Sequence, residues 1–197
     1  MVLAYRQNSP AVGVLQTRLN SAGPTRLPRL TADNDYGPLT MARVMEFQFR
    51  QKFSTADTDG KVGPKTQAKL DAAASSSPKP AARVIVVDLI NERLRAYEDG
   101  ILKLDFRQIK GGSSSDPSTR GVFKVFKRLR HHTSSQFPDP PGNMDFSLFY
   151  HRGEALHQGP ETIPSHGCIH VEPSQAEKLF NWAGKEDVMV IVLKRTP

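Results

Sequence analysis

Apolar positions in the first part of the chain recur with the period of an α-helix. Val12, Leu15 and Leu19 share one face of a helix that follows Ser9 and Pro10. The serine provides a capping hydroxyl, and the proline suits the first helical position because its missing N–H needs no partner there. The pattern therefore predicts a helix that begins at Pro10.

A five-residue motif occurs twice after this helix. Tyr36–Thr40 and Val62–Thr66 both carry Gly-Pro after their first residue and end in threonine. Glycine permits a tight turn and proline starts a helix, so each copy is expected to open a helix. The first of these helices continues through Ala42, Val44 and Phe47. We therefore predict that the N-terminal part of the chain is helical.

The period changes to that of β-strands in the second part of the chain. Asp99-Gly100 lies between two short runs and is a strong hairpin signal. One helix is predicted at Pro173–Ala183, because it begins with proline, has an apolar face and is followed by Gly184. The predicted strands are Val84–Leu89, Arg93–Tyr97, Ile101–Phe106, Val122–Phe126 and Val188–Leu193.

A change of composition separates the two parts. Residues 73–82 are small, polar and rich in proline and serine, with no periodic apolar positions. Such a segment is typical of a linker. We predict an α+β protein of two domains, with a helical domain at 1–72 and a mainly-β domain at 83–197.

Composition limits the partners and the location. The apolar runs are too short to span a bilayer, so no integral membrane contact is expected. A net charge of +7 favours acidic surroundings such as those of a bacterial wall. The densest basic cluster lacks interleaved aromatic residues, which disfavours nucleic acid as a partner. This cluster consists of Lys124, Lys127, Arg128, Arg130, His131 and His132.

The chemistry is concentrated around the only cysteine. His157, His166, Cys168 and His170 lie within fourteen residues, and Ser165-His166-Gly167-Cys168 is a compact motif. An imidazole can take the thiol proton, and the thiolate attacks a carbonyl carbon far better than the thiol does. Gly167 leaves space for a substrate carbonyl. Backbone N–H groups around Gly167 and Cys168 would stabilise the negative charge that develops on its oxygen.

This motif, preceded by Gly153-Glu-Ala-Leu-His157, resembles the signature of the L,D-transpeptidase (YkuD-type) catalytic domain over residues 84–194. The resemblance implies that Cys168 attacks the L-centre carbonyl of a diamino-acid residue in a peptidoglycan tetrapeptide stem, expels D-Ala and passes the acyl group to an amine. It also implies that His157 is the general base and that Gly167 belongs to the catalytic site. His151 is the alternative base.

Three further residues are implied to bind or shape the substrate site, namely Ser165, His166 and His170. His170 stands where the family commonly has arginine or asparagine, so recognition of the stem carboxylate is expected to be weaker or pH-dependent. No cofactor or metal is expected. His166, Cys168 and His170 occupy every second position, however, and together with His157 they also match a metal site.

The N-terminal part resembles the small three-helix peptidoglycan-binding domain. The resemblance rests on Val14–Asn20, Asp35–Thr40 and Asp59–Thr66. It implies that this domain holds the protein on glycan or stem peptide.

Three hypotheses about the function are compatible with the sequence, two enzymatic and one non-catalytic. The thioester is resolved either by an amine, in an L,D-transpeptidase, or by water, in an L,D-carboxypeptidase. A protein that acts on the wall is expected in the periplasm, in the cell wall or secreted. The first residues lack the pattern of a secretory signal. We therefore expect either that a signal has been removed or that the protein leaves the cytoplasm by another route, in one version as an antibacterial effector with a secretion machine or immunity protein as partner. The alternative is a non-catalytic or metal-holding wall-binding protein.

Overall fold

The computed structural model of the chain describes residues 2–73 and 83–194. These residues form two compact units, a mainly helical N-terminal unit that also takes in residues 97–101 and a C-terminal unit that holds the rest of two sheets and one helix. The predicted α+β class is therefore confirmed. Most of the linker predicted at 73–82 lies outside the described residues. Within them, no helix is long and apolar enough to cross a membrane.

Three helices form the described part of the N-terminal unit, and each begins with proline as predicted. They are α1 (Pro10–Ser21), α2 (Pro38–Arg50) and α3 (Pro64–Ala72). Val12, Leu15 and Leu19 are buried on the predicted face of α1. The capping hydroxyl predicted for Ser9 was wrong, because its side chain makes no cap hydrogen bond.

The repeated motif corresponds to a repeated hydrogen-bond network. Gln16 on α1 donates from Nε2 to the backbone oxygen of Asp35 (2.9 Å) and to Oγ1 of Thr40 (3.1 Å). Gln48 on α2 donates in the same way to the Lys61 oxygen (2.8 Å) and to Oγ1 of Thr66 (3.1 Å). Both glutamines are buried, so each satisfies the polar groups of the loop that leads into the next helix.

The C-terminal unit consists of nine described strands and one helix. In chain order they are β1 (Arg83–Asp88), β2 (Arg93–Glu98), β3 (Ile101–Arg107), β4 (Gly121–Lys124), β5 (Lys127–Leu129), β6 (Ser147–His151), β7 (Glu154–Gln158), β8 (Ile169–Val171), α4 (Pro173–Ala183) and β9 (Val188–Leu193). Asp99 and Gly100 both have positive φ, as the predicted two-residue hairpin between β2 and β3 requires.

The first sheet has the strand order β3-β2-β1-β9-β4. β1 and β9 pair in parallel at its centre, and both are almost continuous runs of buried apolar residues. This burial on both faces explains why their sequences do not alternate.

The second sheet has the order β5-β6-β7-β8, and the chain enters it earlier than the sequence predicts. The strand expected at Val122–Phe126 ends at Lys124. The Val125 N–H donates to Val188 in the first sheet (2.9 Å), whereas the Phe126 N–H donates to Phe149 in the second (3.0 Å). The prediction of one continuous strand at Val122–Phe126 is therefore wrong, because the chain crosses from the first sheet to the second at this point.

One apolar core joins the two sheets and α4. It includes Leu94 and Val190 from the first sheet, Leu148 and Leu156 from the second, and Leu179 from the helix. The helix has the predicted bounds, and the side chain of Glu172 accepts the Gln175 N–H at its start. The other face of the second sheet is thus left for the polar groups of the site.

Candidate active site

The register between β7 and β8 puts the thiol and an imidazole on one face of the second sheet. Leu156 pairs with Ile169 and His157 with His170 in parallel. Side chains alternate along a strand, so His157, His170 and Cys168, just before β8, point away from the core. Cys168 accordingly packs with Ala155, which precedes His157 by two residues.

His157 is held as a neutral imidazole. Its ring is 4% exposed, and Nδ1 lies 2.6 Å from the backbone oxygen of Gln158. A carbonyl can only accept, so Nδ1 carries the proton and Nε2 has the lone pair. Burial, and secondarily the nearby His170, lower the pKa of His157 to about 4.

Cys168 is held as a thiol in the free protein. Its side chain is half-buried, and Sγ lies 3.8 Å from the Gly153 carbonyl oxygen. Burial raises the pKa of Cys168, and the charge of Glu154 acts in the same direction. At neutral pH the site therefore contains a thiol beside a neutral imidazole.

Ser165 shapes the turn that presents the cysteine. Its buried Oγ accepts the Gly167 N–H (3.1 Å) and donates to the Cys168 carbonyl (2.5 Å). Gly167 has a φ of +109°, a region that side chains rarely adopt. The Gly167 N–H expected to stabilise an oxyanion is thus engaged by Ser165 in this structure.

A serine-rich loop between β3 and β4 braces this turn. Ser165 donates its N–H to Gly111 O (3.1 Å) and accepts from the Ser113 N–H (2.9 Å). Ser118 accepts the Gly112 N–H (2.9 Å), and its hydroxyl lies 3.4 Å from the Cys168 carbonyl. This brace was not predicted from the sequence, in which the pair Gly111-Gly112 was the only feature that pointed to a close approach of the backbone.

His170 holds a loop beside the site. Its Nδ1 lies 3.1 Å from the carbonyl oxygens of both Pro160 and Ile163, in the connection from β7 to β8. Its ring is 5.1 Å from that of His157, nearly edge-on. Burial lowers the pKa of His170. With Nδ1 occupied by the loop, only Nε2 is left for the expected contact with a substrate carboxylate.

His166 lies at the exposed rim. Its ring stacks on Phe137 with centroids 4.1 Å apart and planes 17° apart. Phe137 belongs to the connection between β5 and β6, residues 130–146. The same connection reaches β7, because Gln158 donates to Asp145 and Gly142. It thus covers the face that carries His157.

Two sequence alternatives have less geometric support. The ring of His151 lies 4.8 Å from that of Phe123 on β4, whereas His157 shares its face with Cys168. Among the residues described here, no group of three or more His, Cys, Asp or Glu side chains could hold a metal ion. The metal site considered for His157, His166, Cys168 and His170 therefore lacks the required convergence.

Comparison with protein families gives two matches. Residues 82–192 match the L,D-transpeptidase catalytic domain, and residues 8–70 match a putative peptidoglycan binding domain. No curated protein matches the chain.

Several solved L,D-transpeptidases are similar to the chain. One from Xylanimonas cellulosilytica is 27% identical over 98% of both chains, with a TM-score of 0.46. One from Stackebrandtia nassauensis is 22% identical over 99% of this chain and 96% of that chain, with a TM-score of 0.51. One from Mycobacterium smegmatis is 20% identical over 62% and 63%, with a TM-score of 0.50. The last two similarities indicate a shared fold.

Proposed function

Because the chain belongs to the L,D-transpeptidase catalytic domain family, we propose that it is a cysteine acyltransferase that acts on peptidoglycan tetrapeptide stems. The observation that carries the proposal is the β7–β8 register, with His157 and Cys168 on one sheet face. The Nδ1 hydrogen bond of His157 leaves Nε2 as the base.

In the first half-reaction the Cys168 sulfur attacks the L-centre carbonyl of the diamino-acid residue. As the C–S bond forms, His157 Nε2 takes the thiol proton and then gives it to the nitrogen of D-Ala as the C–N bond breaks. Because both groups start neutral, this proton moves only when substrate arrives. We assign the oxyanion contact to the Cys168 N–H, since Ser165 engages that of Gly167.

In the second half-reaction an amine attacks the thioester, a new C–N bond forms as the C–S bond breaks, and the proton lost by the amine passes through His157 to the Cys168 sulfur. Water as acceptor would instead release a shortened stem. The match of residues 82–192 to the L,D-transpeptidase catalytic domain favours the amine as acceptor. We therefore rank the L,D-transpeptidase outcome above the L,D-carboxypeptidase outcome.

Product masses test the reaction. Purified protein incubated with tetrapeptide muropeptides is expected to give cross-linked dimers and free D-Ala, and Cys168→Ala is expected to give neither. Shortened monomers without dimers would establish the hydrolytic version. No change in the muropeptides with folded wild-type protein would refute the proposed function.

We assign wall binding to the N-terminal unit, because residues 8–70 match a putative peptidoglycan binding domain. The Cys168→Ala chain should sediment with purified peptidoglycan sacculi, and a chain that starts at residue 83, with its fold checked by circular dichroism, should lose most of this binding. Equal sedimentation of the two would contradict the assignment. Delivery as an antibacterial effector is a prediction from sequence, tested by expression with and without a periplasmic signal.

A further inference from the structure

A row of four residues crosses the second sheet at the level of the nucleophile. Lys127 on β5 pairs with Phe149 on β6, and Phe149 pairs with Ala155 on β7. The parallel register of β7 and β8, extended by one residue, places Cys168 beside Ala155. Residues that pair across neighbouring strands point to the same face of a sheet. The row therefore runs from Lys127 to Cys168 on the face that carries the site.

Packing links the two ends of this row. The ammonium group of Lys127 lies over the Phe149 ring, 5.3 Å from its centroid. Phe149 is 8% exposed and belongs to the small apolar cluster on which Cys168 packs. The His132 ring is nearly perpendicular to the same ring, with centroids 5.6 Å apart. An ammonium group is attracted to the face of an aromatic ring, so Lys127 is held on the sheet at a defined distance from the nucleophile.

The charge of Lys127 is not neutralised within the described part of the chain. Among the residues that the structure describes, no carboxylate forms an ion pair with it. Lys124 and Arg130, which belong to the same basic cluster, do pair with acidic side chains. Lys127 is exposed, and Phe126, whose ring lies 6.5 Å from that of Phe149, is 58% exposed. An anionic ligand can therefore reach the ammonium group from solvent.

His170 is poorly suited to supply a positive charge at this site. The sequence predicts that it contacts the stem carboxylate, but its Nδ1 lies 3.1 Å from two carbonyl oxygens, which only accept hydrogen bonds. Nδ1 therefore carries the proton. Burial lowers the pKa of His170, which keeps the ring neutral and leaves a lone pair on Nε2. Because a lone pair repels a carboxylate, a substrate carboxylate is better bound by a donor elsewhere on this face.

We propose that Lys127 binds a carboxylate of the donor stem, and that the Phe149 ring positions its ammonium group for this contact. The role rests on the proposed function, in which the stem ends in D-Ala and carries a free carboxylate next to the bond that breaks. Lys127 thereby selects stems that carry this charge.

The dimensions of the sheet allow this contact. Two strand spacings of about 5 Å separate Phe149 from Cys168, which puts the ammonium group roughly 10 Å from the sulfur. The attacked carbonyl lies about 3.5 Å from the sulfur, one residue spans about 3.5 Å and a charged hydrogen bond adds about 3 Å. The D-Ala carboxylate can therefore reach Lys127. A carboxylate on the side chain of the diamino-acid residue is a second source of the same chemistry.

The first test needs no peptidoglycan and no turnover. Cys168 is the only cysteine, so its alkylation is read directly from the intact mass. The probes are 6-maleimidohexanoic acid and its amide, which have the same length and differ in charge. The ratio of the two rates, acid over amide, should fall about threefold or more in Lys127→Gln and keep its wild-type value in Lys127→Arg. An unchanged ratio in Lys127→Gln would overturn the proposal.

Two matched variants show whether the effect belongs to this position. Lys103→Gln removes the same charge from an exposed position of β3 in the first sheet and should leave the ratio unchanged. Arg152 lies in the turn next to Gly153, whose carbonyl oxygen is 3.8 Å from the Cys168 sulfur. An equal fall in Lys103→Gln, or a larger fall in Arg152→Gln, would show that the contact is not specific to Lys127 and would also overturn the proposal.

The second test identifies the carboxylate. Donor tetrapeptides are amidated either at D-Ala or at the side-chain carboxylate of the diamino-acid residue, and acyl-enzyme formation is followed by intact mass. Amidation of the carboxylate that Lys127 binds should slow the wild type about tenfold or more and Lys127→Gln much less. The other amidation should affect both proteins equally.

The outcomes distinguish this proposal from the proposed function. If each amidation has the same effect on the wild type and on Lys127→Gln, Lys127 does not bind a donor carboxylate. If no tetrapeptide gives an acyl-enzyme, the proposed function is refuted, whereas the maleimide ratio still decides whether Lys127 attracts an anion to Cys168.

Discussion

The imidazole and the thiol at the centre of the site both favour their uncharged forms. Burial lowers the pKa of His157 to about 4 and raises the pKa of Cys168. A resting thiolate–imidazolium pair would require the opposite shifts. We therefore expect the thiolate to form only during the attack on substrate.

His157→Gln should reduce the rate of acyl-enzyme formation by about 100-fold or more, because a general base contributes on that order. His151→Gln, the matched change at the alternative base, should have little effect because that ring packs against Phe123. Rates of adduct formation by mass spectrometry compare the two. A larger loss in His151→Gln would assign the base to His151.

The pH dependence of kcat/KM should report the lowered pKa of His157. The base acts only when neutral, and a pKa of about 4 keeps it neutral at lower pH than an ordinary histidine. Activity on tetrapeptide substrate should therefore persist as pH falls from 7 to about 5, and decline near about pH 4. Circular dichroism at each pH controls for unfolding. An acid limb near the ordinary histidine value of about 6.5 would contradict this prediction.

At the scale of elements, two connections determine the shape of the site. The loop from β3 to β4 braces the turn at Cys168, and the connection over residues 130–146 covers the face of β7. Neither is a regular element, so the precision of the site depends on hydrogen bonds between loops. Such sites are sensitive to displacements of about 1 Å.

Gly112→Ala tests the brace. A Cβ at this position would lie 2.0 Å from the Asp116 oxygen and 2.8 Å from the Gly167 nitrogen, both backbone atoms. We expect at least about a tenfold loss in kcat with the fold retained, because the catalytic turn must shift. Gly63→Ala is the control, since nothing lies within 4 Å of its added Cβ. Unchanged kcat in Gly112→Ala would show that the brace is dispensable.

Gln48→Ala tests the repeated network of the N-terminal unit. It leaves the buried Gly60 N–H without its acceptor, and it removes one of the two hydrogen bonds of the Thr66 hydroxyl and of the Lys61 carbonyl, which still bond each other. Unpaired buried groups cost about 1–3 kcal/mol each, so the urea midpoint followed by circular dichroism should fall clearly. Gln67→Ala, which removes a hydrogen bond to the exposed Asp71, should change the midpoint little. Equal midpoints would contradict a stabilising role.

Local sequence patterns predicted the elements whose ends and apolar faces are marked by their own residues. The helix at Pro173–Ala183 has the predicted bounds because proline, the apolar face and glycine all lie within it or next to it. β5 and β8 have three residues each, too few for a periodic pattern, and their pairing depends on distant strands. His157 and Cys168 were predicted from a motif. The brace at Ser118 was missed because Cys168, whose carbonyl its hydroxyl approaches, is 50 residues away along the chain.

At the scale of the whole molecule, part of the basic cluster is paired with acidic side chains. Lys124 pairs with Asp187 (3.3 Å), and Arg130 pairs with Glu177 (3.1 Å). Lys124 and Arg130 thus contribute to ion pairs within the chain. The net charge of +7 still favours acidic polymers around the protein.

The most direct test of the central claim is the intact mass of the protein after brief incubation with a tetrapeptide muropeptide. We predict a mass increase equal to the muropeptide without D-Ala, located on Cys168 by peptide mapping, unaffected by a chelator and absent in Cys168→Ala. A product that forms equally in Cys168→Ala, or an activity that the chelator abolishes, would contradict thioester catalysis by Cys168.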